Sequence, residues 1–200
     1  FQDVILPGYS DLVVGGHDIS GVGMAKQAER LVEAGMVPGH LLESVRAQLL
    51  EADLRVRPGY HPAGTPETQA DAVKRLCGDI LSFKEANGLQ RVIVLDVAST
   101  EAPPEQLDEF CDAGLLETAL QDPARHVLPA SSVAAYAAVM AGSPYICFPP
   151  STALNIPALY ELAGAGRVPT AGQDGKTGQT WLRSVLAPAL TARGLRVLSW

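Results

Sequence analysis

The segment Val92–Ala98 constrains the fold of this chain most, because it is apolar at every position except Asp96. A continuous apolar run of strand length is typical of a parallel strand that is covered on both faces. Shorter runs of the same kind recur along the sequence. They predict further strands at Asp11–Gly15, Pro144–Phe148, Arg167–Ala171 and Leu195–Trp200.

Helical patterns separate these runs, and capping residues, glycines and prolines mark where they start and stop. The predicted helices are Ser20–Ala34, Pro38–Ala52, Pro66–Ala86, Glu105–Leu120 with a break near Gly114, Ala130–Ala141, Pro157–Ala163 and Thr177–Arg193, the last kinked or interrupted by Pro188. The Pro- and Gly-rich stretch Pro58–Pro66 is a predicted loop. Strands alternating with helices predict a parallel α/β sheet, whose ligands gather beyond the carboxyl ends of its strands.

The charge pattern bears on partners. The chain of 200 residues has a formal net charge of -7, and no cluster of Lys and Arg stands out against this acidic background. We therefore expect no nucleic-acid surface, and a phosphorylated ligand would need a local basic pocket. No apolar run approaches the ~20 residues of a membrane span and no signal peptide opens the chain. These features predict no membrane partner.

The cysteines indicate the compartment. Cys77, Cys111 and Cys147 are odd in number and widely spaced, without a CxxC pair. They are typical of reduced core thiols in a cytoplasmic protein rather than of a disulfide framework or a zinc site. Because the four histidines are scattered as well, we predict no metal site.

A lysine flanked by glycines, Gly175-Lys176-Thr177-Gly178, lies between a predicted strand and a predicted helix. Such a junction presents unpaired backbone N–H groups and the positive end of a helix dipole, which suit a phosphate or a developing oxyanion. A partly desolvated ammonium there would have a lowered pKa and could transfer protons. The alternative is a solvated lysine in a turn. A nucleotide-binding P-loop is excluded, because that motif requires glycine where this chain has Thr170.

Both ends of the sequence bear on completeness. The chain starts at Phe1 without a methionine and stops at Trp200 within a β-type run. We therefore expect a fragment that lacks both ends.

Four segments, in order along the chain, resemble motifs of one family. They are Gly15-Gly16-His17-Asp18-Ile19, Val92 to Glu101, Leu128-Pro129-Ala130-Ser131-Ser132, and the stretch around Lys176. The family is that of the myo-inositol-1-phosphate synthases (inositol-3-phosphate synthases), with the best fit to its prokaryotic members. The resemblance spans the chain from about Asp11 to Trp200.

The resemblance implies a Rossmann-like parallel sheet with helices on both faces, truncated, plus the start of a catalytic and oligomerisation region. It divides the chain into a partial NAD-binding domain, residues 1–142, and a truncated catalytic region, residues 143–200. The implied enzyme is an NAD-dependent isomerase that converts glucose 6-phosphate into 1L-myo-inositol 1-phosphate. It oxidises C5, enolises C6, closes the ring by attack on C1 and returns the hydride. The implied assembly is a cytoplasmic homotetramer.

The resemblance also assigns roles to single residues. Lys176 matches an active-site lysine, and Thr177 and Arg183 join it as substrate contacts. The implied NAD contacts are Asp18, Val97, Ala98, Ser99, Thr100, Ser131, Ser132 and Asp174. Local structure offers alternatives for several of them: Asp18 could cap the helix that begins near Ser20, Thr100 could cap a turn, and capping is expected as part of the role of Ser131 and Ser132.

The chain departs from the family pattern at several positions. Cys147 and Phe148 replace an asparagine and a small or polar residue, Gln173 replaces Asn or Asp, and Arg183 replaces a lysine. A thiol cannot reproduce an amide's donors and acceptors, and an arginine cannot shuttle a proton. No GxGxxG loop is present, since Gly21-Val22-Gly23 lacks the third glycine.

These departures leave two further hypotheses open. A homologue that binds NAD or a sugar phosphate without catalysis is one, and an ordinary NAD-dependent sugar-phosphate dehydrogenase, disfavoured by the lack of a Tyr-x-x-x-Lys motif, is the other. We expect the fragment alone to be inactive.

Overall fold

The computed structural model describes residues 8, 11–63, 66–175 and 178–198. Within these ranges five short strands form two parallel sheets. Strand β1 (Gly16–Asp18) pairs with β2 (Val56–Pro58), and β4 (Tyr145–Cys147) lies between β3 (Val94–Asp96) and β5 (Thr170–Ala171). The parallel α/β class is confirmed, although the described strands form two sheets where the sequence predicts one.

The strand predictions fail where an apolar run has no partner strand. Residues 12–15 and 195–198 are irregular, and the first strand begins at Gly16 instead. Leu12, Val13 and Val14 are exposed. Apolarity favours burial, but a strand also needs hydrogen-bonding partners. Strand β1 has its partners in β2, a strand that the sequence pattern did not predict. The end of the predicted strand at Leu195–Trp200, residues 199–200, lies outside the described residues.

Seven α-helices surround these strands in the described ranges. They are α1 (Met24–Glu33), α2 (Gly39–Asp53), α3 (Gln69–Ala86), α4 (Ala113–Ala119), α5 (Ala130–Met140), α6 (Pro157–Ala165) and α7 (Gly178–Ala192). A 3-10 helix, Asp108–Cys111, precedes α4, so the predicted break falls at Asp112 rather than at Gly114. Helix α7 continues through Pro188, and the predicted interruption there is wrong.

The helix starts show where local rules suffice. Thr68 caps α3 by accepting a hydrogen bond from the Asp71 backbone N–H at 3.1 Å, and Asp112 caps α4 in the same way through Leu115 at 2.8 Å. Helix α1 begins four residues after the predicted cap Ser20. Its first N–H, that of Met24, donates to both carboxylate oxygens of Asp53 at 2.8 and 3.0 Å.

The core lies where α3 and α5 pack together. Val73, Leu76 and Ile80 recur at helical spacing on α3, and all three are buried in this core. Gln69, at the start of this helix, is only 1 % exposed. Its side-chain amide donates to the Leu128 carbonyl at 2.6 Å and accepts from the backbone N–H groups of Val127 and Leu128 at 2.7 and 2.9 Å. This contact fixes the segment that leads into α5.

Helix α3 also reaches the smaller sheet. Its Asp79 lies 3.3 Å from the His17 ring of β1, and its Arg75 donates to the Pro58 carbonyl of β2 at 2.7 Å. Helix α3 therefore connects the smaller sheet to α5, which in turn contacts β4 of the larger sheet. Within the described ranges, no helix combines the length and apolarity that a membrane crossing requires.

Candidate functional site

Three loops meet at the carboxyl edge of the larger sheet. Residues 97–101 follow β3, residues 148–151 follow β4 and residues 172–175 follow β5. The Phe148 N–H donates to the Asp96 carbonyl at 3.0 Å, and the Gly175 N–H donates to the Phe148 carbonyl at 2.6 Å. Backbone bonds therefore connect the end of β3 to the loops after β4 and β5, at the edge where parallel α/β sheets bind ligands.

The loop after β3 carries four of the predicted cofactor contacts, Val97, Ala98, Ser99 and Thr100, and all four are exposed. The loop is fixed at both ends. Ala98 N–H donates to Asp96 Oδ1 at 2.9 Å, and Glu101 N–H donates to the Ser151 hydroxyl at 3.2 Å. The arrangement presents small side chains and backbone to solvent on a fixed frame.

Glu101 closes the same frame on the α5 side. Its Oε2 accepts from the Ser131 backbone N–H at 3.0 Å, so a carboxylate lies at the N-terminus of α5. A negative charge there satisfies a free N–H and complements the helix dipole. The expectation that Ser131 and Ser132 cap this helix is wrong, because α5 begins at Ala130 and its N-cap is Pro129, without a side-chain cap bond.

The two serine hydroxyls instead hold the chain after β4. Ser131 Oγ accepts from the Ala153 N–H at 3.1 Å, and Ser132 Oγ donates to the Ala153 carbonyl at 2.6 Å. Ser131 is 6 % exposed and Ser132 is fully buried. These contacts place both serines beside the carboxyl edge, and their contact with NAD stays a prediction.

Tyr145 lies beneath the loops. Its hydroxyl donates to Asp96 Oδ2 at 2.7 Å, with the Ser131 carbonyl as a second acceptor at 3.3 Å. Burial, reinforced by the nearby Asp96 carboxylate, raises the pKa of Tyr145 far above its ordinary value, so the phenol stays a donor. No sequence pattern assigned a role to Tyr145, Glu101 or Ser151. Asp96 carried a signal, as the one charged residue in an apolar strand.

The turn after β5 fits tightly against β4. A Cβ on Gly172 would lie 2.6 Å from the Cys147 carbonyl oxygen, and the Phe148 ring occupies the space that a Cβ on Gly175 would need. Gln173 donates from its side-chain amide to the Ser151 carbonyl. Cys147, Phe148 and Gln173, which depart from the family pattern, therefore lie in the same pair of packed loops.

Cys147 is buried in this contact. Its thiol donates to the Pro149 carbonyl at 3.2 Å, and burial is the main cause that raises the pKa of Cys147. A neutral thiol therefore faces a cleft of about 330 Å³ between the loops and α6. The cleft is also lined by Tyr145, Asn155, Tyr160 and Gln173, which bring several polar groups to it.

Asp18 lies at the end of β1, on the smaller sheet. Its carboxylate accepts from the Ser20 N–H at 3.2 Å and from the Ser20 hydroxyl at 2.5 Å. The Ser20 hydroxyl bond is the main cause that lowers the pKa of Asp18, and the carboxylate is exposed. Asp18 does not cap α1, which uses Asp53, so the helix-capping alternative is wrong.

The remaining predicted contacts surround the strand-to-helix junction. Strand β5 ends at Ala171 and α7 begins at Gly178, which confirms the junction, but Lys176 and Thr177 lie outside the described residues. Asp174 is exposed with φ 65, in the left-handed region that Asp tolerates better than most residues. Arg183 is exposed on α7.

Comparison with known proteins shows the family of the chain. The profile of an NAD-binding family described as myo-inositol-1-phosphate synthase matches residues 1–193. The chain belongs to the myo-inositol-1-phosphate synthase family. The resemblance of the four motifs is thus confirmed, and the family description makes NAD the cofactor.

Several relatives carry the related enzyme name. Inositol-3-phosphate synthase 1 of Bacteroides thetaiotaomicron is 38% identical over 133 residues, which cover 66% of this chain and 31% of that protein. Human inositol-3-phosphate synthase 1 is 32% identical over 210 residues, which cover 95% of this chain and 35% of the human protein. The chain spans about a third of the length of the curated relatives it matches.

A solved structure agrees with the fold. The crystal structure of inositol-3-phosphate synthase from Caenorhabditis elegans superimposes with a TM-score of 0.74 and 25% identity, covering 92% of this chain and 38% of that one. The Rossmann-like class predicted from the sequence is therefore confirmed.

Three features are compatible with NAD, two of them at the loops and one at Asp18 on the smaller sheet. The exposed loop of residues 97–100 offers backbone and hydroxyl groups at the carboxyl edge of a parallel sheet, where a dinucleotide can approach closely. The Tyr145 hydroxyl and the Ala98 backbone N–H already have protein partners, so the position of the loop does not depend on a ligand. The exposed carboxylate of Asp18 is a hydrogen-bond acceptor of the kind that a ribose requires.

Proposed function

We propose that the full-length gene product converts glucose 6-phosphate into 1L-myo-inositol 1-phosphate, with NAD as a cofactor that is regenerated in each cycle. The observation that carries the proposal is the convergence of residues 97–101, 148–151 and 172–175 at one carboxyl edge. Membership of the myo-inositol-1-phosphate synthase family supports the choice of reaction.

NAD, when bound, supplies the chemistry of removing a hydride from a carbon and returning it. The residues proposed to hold it are Asp18, Val97, Ala98, Ser99, Thr100, Ser131, Ser132 and Asp174. Their surroundings support two kinds of role, direct contact with NAD and indirect support of the site. The exposed loop of residues 97–100 suits close approach of a dinucleotide, whereas the hydroxyl of Ser132 is buried and already donates to Ala153. For Ser132 we therefore propose an indirect role, in which it keeps α5 and the loop after β4 in place.

Lys176 is the proposed catalytic residue, with Thr177 and Arg183 as substrate contacts. Its position in the sequence, two residues before α7 begins at Gly178, supports this role, because an anion or developing oxyanion is favoured near a helix N-terminus. An ammonium there would stabilise the C5 oxygen of the sugar phosphate as negative charge develops on it. The planar guanidinium of an arginine donates in pairs to phosphate oxygens, so the proposed task of Arg183 is phosphate binding.

Several further features of the proposal come from the family resemblance. They are assembly as a homotetramer, a cytoplasmic location, and a division into a cofactor domain, residues 1–142, and the start of a catalytic region, residues 143–200. Each stays a prediction.

A homologue that binds NAD or a sugar phosphate without turnover is the alternative, and the departures at Cys147, Phe148 and Gln173 raised it. Their packing favours the catalytic reading. Gln173 bonds to the Ser151 carbonyl and Phe148 fills the space beside Gly175, so the replaced residues contact partners within the same loops.

The test is an assay of the full-length gene product with NAD and glucose 6-phosphate. We expect loss of substrate, no net formation of NADH, and a product whose phosphate is released by periodate. Accumulation of NADH in step with substrate loss would indicate a dehydrogenase. Binding of NAD without any loss of substrate would indicate the non-catalytic homologue.

A further inference from the structure

Asp96 is the one charged residue of an otherwise apolar strand segment, and both of its carboxylate oxygens have partners. Oδ1 accepts from the Ala98 backbone N–H at 2.9 Å, and Oδ2 accepts from the Tyr145 hydroxyl at 2.7 Å. The side chain therefore links the loop after β3 to the base of the neighbouring strand β4.

The bond from Tyr145 is the stronger half of this link. Tyr145 is 1 % exposed, and a hydrogen bond from a buried phenol to a carboxylate is charge-assisted and poorly screened by water. The hydroxyl has one hydrogen and two acceptors within reach, and Asp96 at 2.7 Å is closer than the Ser131 carbonyl at 3.3 Å. The carboxylate is thereby held in the rotamer that also receives the Ala98 N–H.

This link acts on the loop of residues 97–100, which is proposed above to contact NAD. Turning the Ala98 N–H toward Asp96 sets the backbone direction at the first step after the strand, and residues 97–100 remain exposed beyond it. The Asp96 carbonyl accepts from the Phe148 N–H at 3.0 Å, so the same residue also fixes the loop after β4. Cross-links of this kind reduce the entropy that a loop loses on binding.

We propose that Asp96 and Tyr145 form a positioning pair that fixes the backbone of residues 97–100 in the conformation that binds NAD. The inference rests on the proposed function, since it assigns NAD to that loop. Neither residue is proposed to react with the substrate. Their effect is on cofactor affinity through the loop they hold.

The chain provides a matched control for Tyr145. Tyr136 is a second buried tyrosine, 5 % exposed, whose hydroxyl donates to a carboxylate, that of Glu117, at 3.3 Å. It lies on α5, and its carboxylate partner is on α4 rather than at the loops. Tyr145→Phe and Tyr136→Phe therefore remove the same atom from the same kind of bond, and only the first touches the proposed pair.

The experiment measures NAD affinity by titration calorimetry, together with the melting temperature, for both variants of the full-length gene product. We expect Tyr145→Phe to weaken NAD binding about tenfold, which is the lower end of the contribution of a hydrogen bond to a charged group. Tyr136→Phe should leave NAD affinity within about twofold of the wild-type value. Its melting temperature should fall by about as much as that of Tyr145→Phe. Unchanged affinity in Tyr145→Phe, or equal weakening in both variants, would overturn the inference.

Variants of Asp96 give a second measurement. In Asp96→Asn the amide oxygen can still accept from Ala98, and its NH₂ group can donate to the Tyr145 hydroxyl, which then turns to the Ser131 carbonyl. NAD affinity should therefore fall less in Asp96→Asn than in Asp96→Ala, which loses both bonds. Equal affinities in the two variants would contradict the pair.

Hydrogen exchange without cofactor completes the test. The Ala98 amide should exchange faster in Tyr145→Phe and Asp96→Ala than in the wild type or in Tyr136→Phe, and unchanged exchange would overturn the inference. Failure of the proposed function is distinguishable, because a wild-type protein that binds NAD but does not consume glucose 6-phosphate refutes the function alone. Wild-type turnover with unchanged affinity in Tyr145→Phe refutes the pair alone.

Discussion

Replacement of Gln69 by leucine should destabilise the protein strongly, although the two side chains are similar in volume. The single amide of Gln69 satisfies three backbone groups in a site that is 1 % exposed: the Leu128 carbonyl at 2.6 Å and the N–H groups of Val127 and Leu128 at 2.7 and 2.9 Å. Leucine fills the space and serves none of them.

The size of the effect follows from the number of buried groups that lose a partner. Each such group costs about 1–3 kcal/mol, and partial relaxation brings the expected loss for three groups to about 3–5 kcal/mol. At roughly 2–4 °C per kcal/mol for a domain of this size, the melting temperature should fall by about 10 °C. NAD affinity should fall as well, because Val127 and Leu128 lead directly into α5, whose Ser131 and Ser132 lie at the candidate site.

The assay is thermal and urea denaturation followed by circular dichroism, with Gln121→Leu as the control. Gln121 is exposed in the turn after α4, so its replacement should change stability by no more than about 0.5 kcal/mol. If Gln69→Leu and Gln121→Leu melt at the same temperature, the buried amide does not carry the role assigned to it.

Three further predictions concern catalysis, capping and pH. Lys176→Ala should lower kcat about 10²–10³-fold with little change in melting temperature. Lys176→Arg should restore little activity, because a guanidinium cannot give up a proton. Near-normal turnover in the alanine variant would indicate a solvated turn lysine. Asp53→Ala removes the carboxylate that accepts from the Met24 N–H at the start of α1, so stability should fall by about 1 kcal/mol and the Met24 amide should exchange faster. Slow exchange of this amide in the variant would contradict the cap. Burial, with Glu117 adding to it, raises the pKa of Tyr136 to about 12, whereas an unfolded tyrosine ionises near its ordinary value of about 10. The unfolded chain therefore loses that proton first, and the melting temperature should fall as pH rises from about 10 to about 12, less so in Tyr136→Phe; an equal fall in both proteins would contradict the assignment.

The elements that the sequence predicted well are those with local signals. Helix α3 ends at Ala86, as predicted, and Asn87 and Gly88 follow it. Gly88 has φ 60, a left-handed conformation that glycine adopts readily after the end of a helix. Strand β4 lies within its predicted range because the neighbouring strands β3 and β5 give it partners on both sides. Strand β1 is displaced from its predicted range because only Gly16–Asp18 finds a partner in β2.

The candidate site was predicted in its motifs but not in its framework. The exposed loop of residues 97–100 follows from an apolar strand that ends in small hydroxyl residues. Its supports connect residues far apart in sequence, such as Asp96 with Tyr145 and Glu101 with Ser131. Pairings of this kind arise from tertiary packing, and neither periodicity nor local capping rules contain them. The same reason explains why Asp53, rather than Ser20, caps α1.

The most direct test of the proposed isomerisation follows a hydrogen atom. Glucose 6-phosphate that carries deuterium at C5 is incubated with the full-length gene product and unlabelled NAD. If the hydride is removed and returned within one bound cofactor, the cyclised product retains the deuterium at the carbon that was C5, and free NADH stays undetectable. Deuterated NADH released in proportion to substrate loss, or a product without the label, would contradict the account.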